Sequence, residues 1–456
     1  MVFSITPVKK YVAVIGLACG ICFASLTAIQ ANEGDSTEPN ANISLPKAQL
    51  TGTYVLPKMS LDGFEEPHLS EAVMEQAKKD GLTFTDLPSI GSGLARRADG
   101  ALFGITDRGP NSHLKIASNS DEERRVFPLP EFCPAIVRFG LTNDEIRLDE
   151  VLPLTDSHGK PLTGLSNDTN EEPCYESLDA PRPLPPDPSG VDPEGIRCLS
   201  GGGFVLCEEY APSILIVSTS GQVLMRYTPT SKPLIGAHYP VQPILPDIFC
   251  DRRVNRGFEG VALSSDGKTL YAILQSPMGD SQNPLYANSR IIRILEMDFT
   301  NPLHAKVTGM FLLHASKFTD YPHNKRQDQV GISEVEWLAP DRLLVLERAK
   351  GRMRLFVADL TKASNVLHRK DAETLLYEND QTDLRALGVR LAKCSWVFDT
   401  AEIPAIDTDK LEGVVLLGPD EIALANDNDF GIGENAVGEP SKVWTIRIPA
   451  LRKFEQ

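Results

Sequence analysis

The 456-residue chain lacks the short signatures that mark many catalytic sites. It has no GxSxG turn to expose a nucleophilic serine, no HExxH zinc helix, no Walker phosphate loop and no GxGxxG dinucleotide loop. Enzymes built on those devices are excluded. Histidine is scarce too. His68, His113, His158, His238, His304, His314, His323 and His368 are scattered, and none forms a ligand pair by spacing. Basic charge is in deficit, with 45 Lys and Arg against 62 Asp and Glu and a net charge of −17. Nucleic acid and anionic membrane surfaces are poor partners for that balance, whereas divalent cations and neutral or cationic ligands suit it.

Long apolar runs are limited to one. Lys9 and Lys10 precede Tyr11–Ile29, which carries no charge, and Ala31 stands at a plausible cleavage point. This reads as a secretory signal peptide over residues 1–31, giving a periplasmic or secreted protein; an uncleaved membrane anchor is the alternative reading. No later stretch approaches a membrane span. Cleavage would remove two lysines and no acids, taking the charge from −17 to −19. Residues 32–46 are polar and read as a disordered linker. Six cysteines remain beyond the leader: Cys133, Cys174, Cys198, Cys207, Cys250 and Cys394. None has CxxC spacing, and in an exported chain they permit up to three disulfides, with Cys198–Cys207 the favoured pair.

Against these absences stands one recurring pattern. "SGLARRADGALFGITDRG", "EGIRCLSGGGFVLCEEY", "EGVALSSDGKTLYAILQS", "SEVEWLAPDRLLVLERAKG" and "EGVVLLGPDEIALANDND" are each an apolar run, a turn of Gly, Pro or Asp, and a second apolar run. Further strand-like stretches such as "PAIVRFGL" and "RLFVADL" follow several of them. Four strands per unit, repeated radially, predict an all-β chain forming a single β-propeller of five or six four-stranded blades over residues 47–452. "QLTGTYVLP" is expected to close the ring by pairing with the C-terminal strands. "SEAVMEQAKKDG" and "DLRALGVRLAK" are the two expected helices. Ala372–Pro404 is either a sixth blade or an insertion, and 155–190 is a Pro-rich rim insertion, either a lid beside the site or ornament.

Aligned on their first turn residues, the copies carry Ser92, Glu194, Glu259, Ser333 and Glu412 seven positions earlier. Asp107, Glu209, Leu274, Arg348 and Asp427 stand eight positions later. A two-residue hairpin would set Glu194 opposite Glu209 and Glu412 opposite Asp427. Like charges so opposed are destabilising unless a cation joins them, Arg108, Arg197 or Arg348 pairs with them, or they are solvated at the strand ends; Ca²⁺ takes six to eight oxygen ligands of this kind. The expected metal ligands are Glu194, Glu208, Glu209, Glu412, Asn426, Asp427 and Asp429. In "TDRGPN", Arg108 either grips a substrate anion through its planar fork or pairs with Asp107 to pin the loop; Arg256 in "NRGFEG" is a second such arginine. His113 leaves the same acidic mouth.

"GKPLTGLSN", "DPEGI", "EEYAPSIL", "NRGFEGVALSSDGKTLYAILQSP" and "KLEGVVLLGPDEIALANDNDFG" together resemble, in order, the "esterase-like activity of phytase" family of exported propeller proteins. The chain departs from its "DEYGP" pattern at Glu208-Glu209-Tyr210-Ala211-Pro212. The resemblance implies hydrolysis of a phosphoester or carboxylic ester at a Ca²⁺ site, on a small anionic or neutral substrate. Asp107, Arg108, Glu194 and Glu259 are expected to be catalytic, and Arg108, Arg256, Tyr210 and His113 to bind substrate. A calcium-propeller lactonase and a non-enzymatic binding propeller are the competing readings.

Overall fold

The computed structural model describes residues 47–59, 71–82, 88–117, 122–168, 171–432 and 438–454, all within one compact unit. The leader and the linker read from the sequence lie outside the described residues.

The five hairpin repeats become the two inner strands of five four-stranded units. From the inside outwards, the first contains Gly93–Arg96, Leu102–Ile105, Ala135–Thr142 and Glu145–Pro153. The second contains Pro193–Cys198, Phe204–Glu208, Ser213–Val217 and Val223–Pro229, with Val241–Leu245 added in parallel at its edge. Phe258–Leu263, Thr269–Leu274, Ile291–Asp298 and Lys306–His314 form the third; Gly331–Ala339, Arg342–Ala349, Arg352–Asp359 and Lys393–Asp399 form the fourth. The fifth combines Leu411–Gly418, Glu421–Asn426 and Lys442–Arg447 with the N-terminal strand Gln49–Val55, which pairs antiparallel to Lys442–Arg447. The chain is a β-propeller whose last unit is closed by its first strand. Residues 372–404 add no further unit; they contribute the outer strand of the fourth.

Each inner strand packs on the next, the first on the second and so on round to the fifth, which returns to the first. Buried on both faces, these strands read as nearly continuous apolar runs, and Phe204–Glu208 is buried at every position. Their close approach depends on glycine. A Cβ on Gly195 would stand 3.0 Å from the Cα of Gly260, and one on Gly260 2.7 Å from the backbone nitrogen of Val335. Arg197 crosses the ring from the second unit. Its Nη1 donates to the carbonyl of Leu94 at 2.6 Å and its Nη2 to that of Val335 at 2.5 Å, while Glu334 supplies the counter-charge at 3.3 Å.

Several expectations need correcting. "SEAVMEQAKKDG" contains the helix Glu71–Lys79, but "DLRALGVRLAK" is a series of turns. Gly388 sits there at φ +69, which stops a helix after one turn. All six described cysteines are free thiols. Cys198 lies across from Phe204 and Cys207 from Gly195, so the favoured pair is three ladder positions apart and cannot bridge. No described helix is long and apolar enough to cross a membrane.

Gly260→Ala is expected to lower unfolding stability by about 1–3 kcal/mol through overpacking, measured as a fall in the urea midpoint. An unchanged midpoint would contradict the close approach of the inner strands.

Candidate functional site

A single irregularity, repeated in four of the five units, builds the site. In these units the inner strand carries one extra residue against its neighbour; in the first, Ser92 lies instead between Gly91, which bridges Ile105 in parallel, and Gly93, which pairs with it antiparallel. Pro193 and Gly195 meet Glu208 and Cys207, and Phe258 and Gly260 meet Leu274 and Ile273. Ile332 and Glu334 meet Glu347 and Leu346, and Leu411 and Gly413 meet Asn426 and Ala425. The residues left over at these bulges are Glu194, Glu259, Ser333 and Glu412, and Ser92 takes the matching place in the first unit. A bulge re-aims the side chain it carries. The expected direct opposition of Glu194 to Glu209 and of Glu412 to Asp427 is thus replaced by an offset one, because the ladder gains a residue at that step.

Glu194, Glu259 and Glu412 line a cavity of about 540 Å³ at the mouth, together with Asp107, Arg108, His113, Arg125, Glu172, Asp192, Glu209, Arg256, Gln275, Arg348, Lys410, Asp427 and Asp429. Two carboxylate trios stand out, each able to bring one oxygen per residue within 4.8 Å of the others: Asp192, Glu194 and Glu209, and Asp107, Asp427 and Asp429. The second trio has a resident cation. Nζ of Lys410 lies 2.6 Å from Asp427 and 2.5 Å from Asp429, and Ser89 also donates to Asp427 at 2.6 Å. Burial would raise the Asp427 carboxyl, but Lys410 and these hydrogen bonds hold it well below the usual range. Glu412 accepts from Arg348 at 2.7 Å. Burial nevertheless pushes it up to about 7 against the pull of Lys410 and Arg348.

The first trio has no lysine seated among its oxygens, although Arg256, Arg252 and Arg108 lie near enough to pull Glu209 down. Asp192 accepts from the backbone N–H of Arg108 at 3.1 Å, with the Arg108 Nε at 3.7 Å, but Oε1 of Glu209 has no hydrogen-bond partner although the residue is only 1% exposed. Burial and the neighbouring acids raise Glu194 and Glu259 well above the usual carboxylate range. Burial, reinforced by Asp192, pushes Glu209 to about 8. Glu259 accepts from Gln275 through Oε1, and its Oε2 is unpartnered.

Not every expected site residue reaches the cavity. Glu208 is fully buried behind it, paired to Arg226 at 2.8 Å and accepting from Ser213 and the Tyr210 N–H. Asn426 spends its amide on Pro440 and Lys442 backbone groups. Both are structural, because their polar atoms are committed within the protein. Tyr210 is not among the lining residues either. Its hydroxyl donates to Glu172 at 2.5 Å and its ring lies 4.1 Å from the guanidinium carbon of Arg108. Arg108 is held between the Tyr210 and Phe127 rings, and its Nε donates to Gly164. His113 reaches the Glu172 carboxylate at 3.1 Å. Arg256 lines the cavity and makes no hydrogen bond or ion pair with any described residue, and burial beside Arg348 lowers its pKa.

Sequence reasoning missed Asp192, Lys410, Glu172, Arg125 and Gln275. Two of these carried a signal: Asp192 and Lys410 each stand two residues before a bulge glutamate, in "DPEG" and "KLEG". Without added divalent cation, stability should fall as pH rises from the unfolded carboxylate value near 4.5 towards 8, because the folded state binds protons at Glu209 that the unfolded state has released. Thermal melts across that range should show this decline, and Glu209→Gln should make it shallower; an equal decline in the variant would reject the assignment.

A profile of the protein family described as phytase-like, "esterase-like activity of phytase", matches residues 89–430. An uncharacterized secreted protein of Arthroderma benhamiae is 27% identical over 322 residues, 62% of this chain and 62% of that protein, so the match spans about three-fifths of the relative. Among solved structures, the PQQ-bound aldose sugar dehydrogenase of Streptomyces coelicolor is similar at 11% identity, covering 89% of this chain and 100% of that one, with a TM-score of 0.32. The periplasmic gluconolactonase of Pseudomonas aeruginosa is similar at 11% identity, covering 79% and 89%, with a TM-score of 0.29. With three-quarters of its length matched by that profile, the chain belongs to the phytase-like, "esterase-like activity of phytase" family.

Proposed function

We propose that this protein is an exported, divalent-cation-dependent hydrolase of a phosphoester or carboxylic ester, acting at the propeller mouth. The observation that carries the reading is the trio Asp192, Glu194 and Glu209, buried together with one glutamate oxygen unpartnered. Buried carboxylates are paired or bind metals, and an orphan oxygen among three of them fits a hard cation such as Ca²⁺. Asp192, Glu194 and Glu209 would hold the ion, with Glu259 beside them. When bound, a divalent cation supplies Lewis acidity at that end of the cavity.

The chain's own residues supply the rest. Arg256 offers an uncommitted guanidinium fork to an anionic group of the substrate, and Arg348 stands beside it. Arg108, stacked on Tyr210 and tied to the rim loop, is held in one orientation beside Asp192. Glu259 anchors one oxygen on Gln275 and keeps the other open, so it can take a proton from water or return one to a leaving group. The family description supports an ester substrate, and the secreted relative agrees with the N-terminal export reading.

Phytate, p-nitrophenyl phosphate, p-nitrophenyl acetate and simple lactones, assayed with Ca²⁺ and with chelator, test this. Turnover of a phosphoester or open-chain ester that chelator abolishes is the expected outcome. Lactone turnover alone would assign a lactonase, and no turnover with Ca²⁺ bound would leave a binding propeller. On an anionic ester, Arg256→Gln should raise KM by about tenfold or more, the scale of one lost charge-assisted hydrogen bond. An unchanged KM would remove Arg256 from the substrate site.

A further inference from the structure

We infer that Lys410 is a built-in cation, its ammonium filling one of two equivalent positions at the mouth so that only the other can take a divalent ion. Asp192, Glu194 and Glu209 in the second unit occupy the same backbone positions as Lys410, Glu412 and Asp427 in the fifth. In the second unit Asp192 stands two residues before the bulge glutamate Glu194, and its carbonyl accepts from the N–H of Glu209 at 3.2 Å. In the fifth unit Lys410 stands two residues before Glu412, and its carbonyl accepts from the N–H of Asp427 at 3.0 Å. The same position therefore carries an acid in one unit and an ammonium in the other.

The consequences at the two places differ as that swap requires. Around Lys410, Nζ reaches Asp427 at 2.6 Å, Asp429 at 2.5 Å and Glu412 at 3.7 Å, and Asp107 completes the group. No buried oxygen of Asp107, Glu412, Asp427 or Asp429 is without a partner. Around Asp192 a third carboxylate replaces the ammonium, and a Glu209 oxygen is left without one. An ammonium on a four-carbon stem and a hard divalent ion both satisfy converging carboxylates, but they cannot share one position.

The half concerning Asp192, Glu194 and Glu209 rests on the cation reading above; the half concerning Lys410 does not. Isothermal titration of chelator-stripped protein with CaCl₂ separates them. The expected stoichiometry is one ion for the natural chain, two for Lys410→Met and one for Lys410→Arg. In the Lys410→Met background, Asp427→Asn should remove the gained ion. A natural chain that binds none while Lys410→Met binds one would remove the cation from the first trio and uphold the role of Lys410. Equal stoichiometry in the natural chain and Lys410→Met, or two ions with Lys410 present, would overturn the inference. If Lys410→Met is unstable without cation, CaCl₂ should raise its melting temperature by more than it raises that of the natural chain; failure of CaCl₂ to restore the fold would also overturn it.

Discussion

The Glu-Gly step on the inner strands is the constraint on which both the ring and its mouth depend. Glycine at 195 and 260 lets one inner strand approach the next to a distance that a methyl group would block. The residue just before it is the unpaired member of a bulge, which turns its carboxylate out of the ladder and towards the cavity. Closing the propeller and charging its mouth are consequently one structural event. Where serine replaces glutamate, at Ser92 and Ser333, the ring still closes but that position contributes no charge; Ser333 instead accepts from Arg348.

Charge within the protein is sorted by depth. Below the mouth three strongly buried acids meet arginines, Glu334 and Glu336 meeting Arg197 and Glu208 meeting Arg226, while Glu347 is held by the Tyr321 hydroxyl and the Ser316 N–H. Such pairs do not have to add much net stability, but breaking one leaves an uncompensated buried charge and costs about 3–5 kcal/mol. At the mouth the matching is deliberately incomplete. Lys410 and Arg348 neutralise one side, while Glu209 and Glu259 each keep an oxygen without a hydrogen bond and Arg256 acts on them only through space. Buried polar groups left without hydrogen bonds in one cavity are costly in the resting state and are the features a polar ligand can satisfy.

The rim insertion is part of this arrangement. Cys174–Tyr175 runs parallel to Glu123–Val126, which seats the insertion against the loop that leaves Asp107. Glu172 then gathers Arg125, Tyr210 and His113 on one carboxylate, and Gly164 accepts from Arg108. Residues far apart in the chain thereby fix one wall of the cavity. Tyr210 acts here as a support for Arg108 and not as a contact for a ligand.

How much of this was legible in the sequence follows from the range of the interactions involved. Hairpin recurrence, the closing strand "QLTGTYVLP" and the gathering of acids at one end all depend on local pattern and on the periodicity of strands, so the sequence by itself determined them. It also placed Glu194, Glu259, Glu412 and Asp427 at the mouth, because their phase relative to the turns survives a small register change. Tertiary structure alone decided which of those acids have partners. A bulge shifts opposition by one residue without leaving a compositional mark, so Glu208 and Asn426 turned away while Asp192 turned in. Lys410 reaches Asp427 and Asp429 across a strand pair, and Arg348 reaches Glu412 from the neighbouring unit. Counterions are chosen by distance in space, and spacing along the chain does not encode that distance.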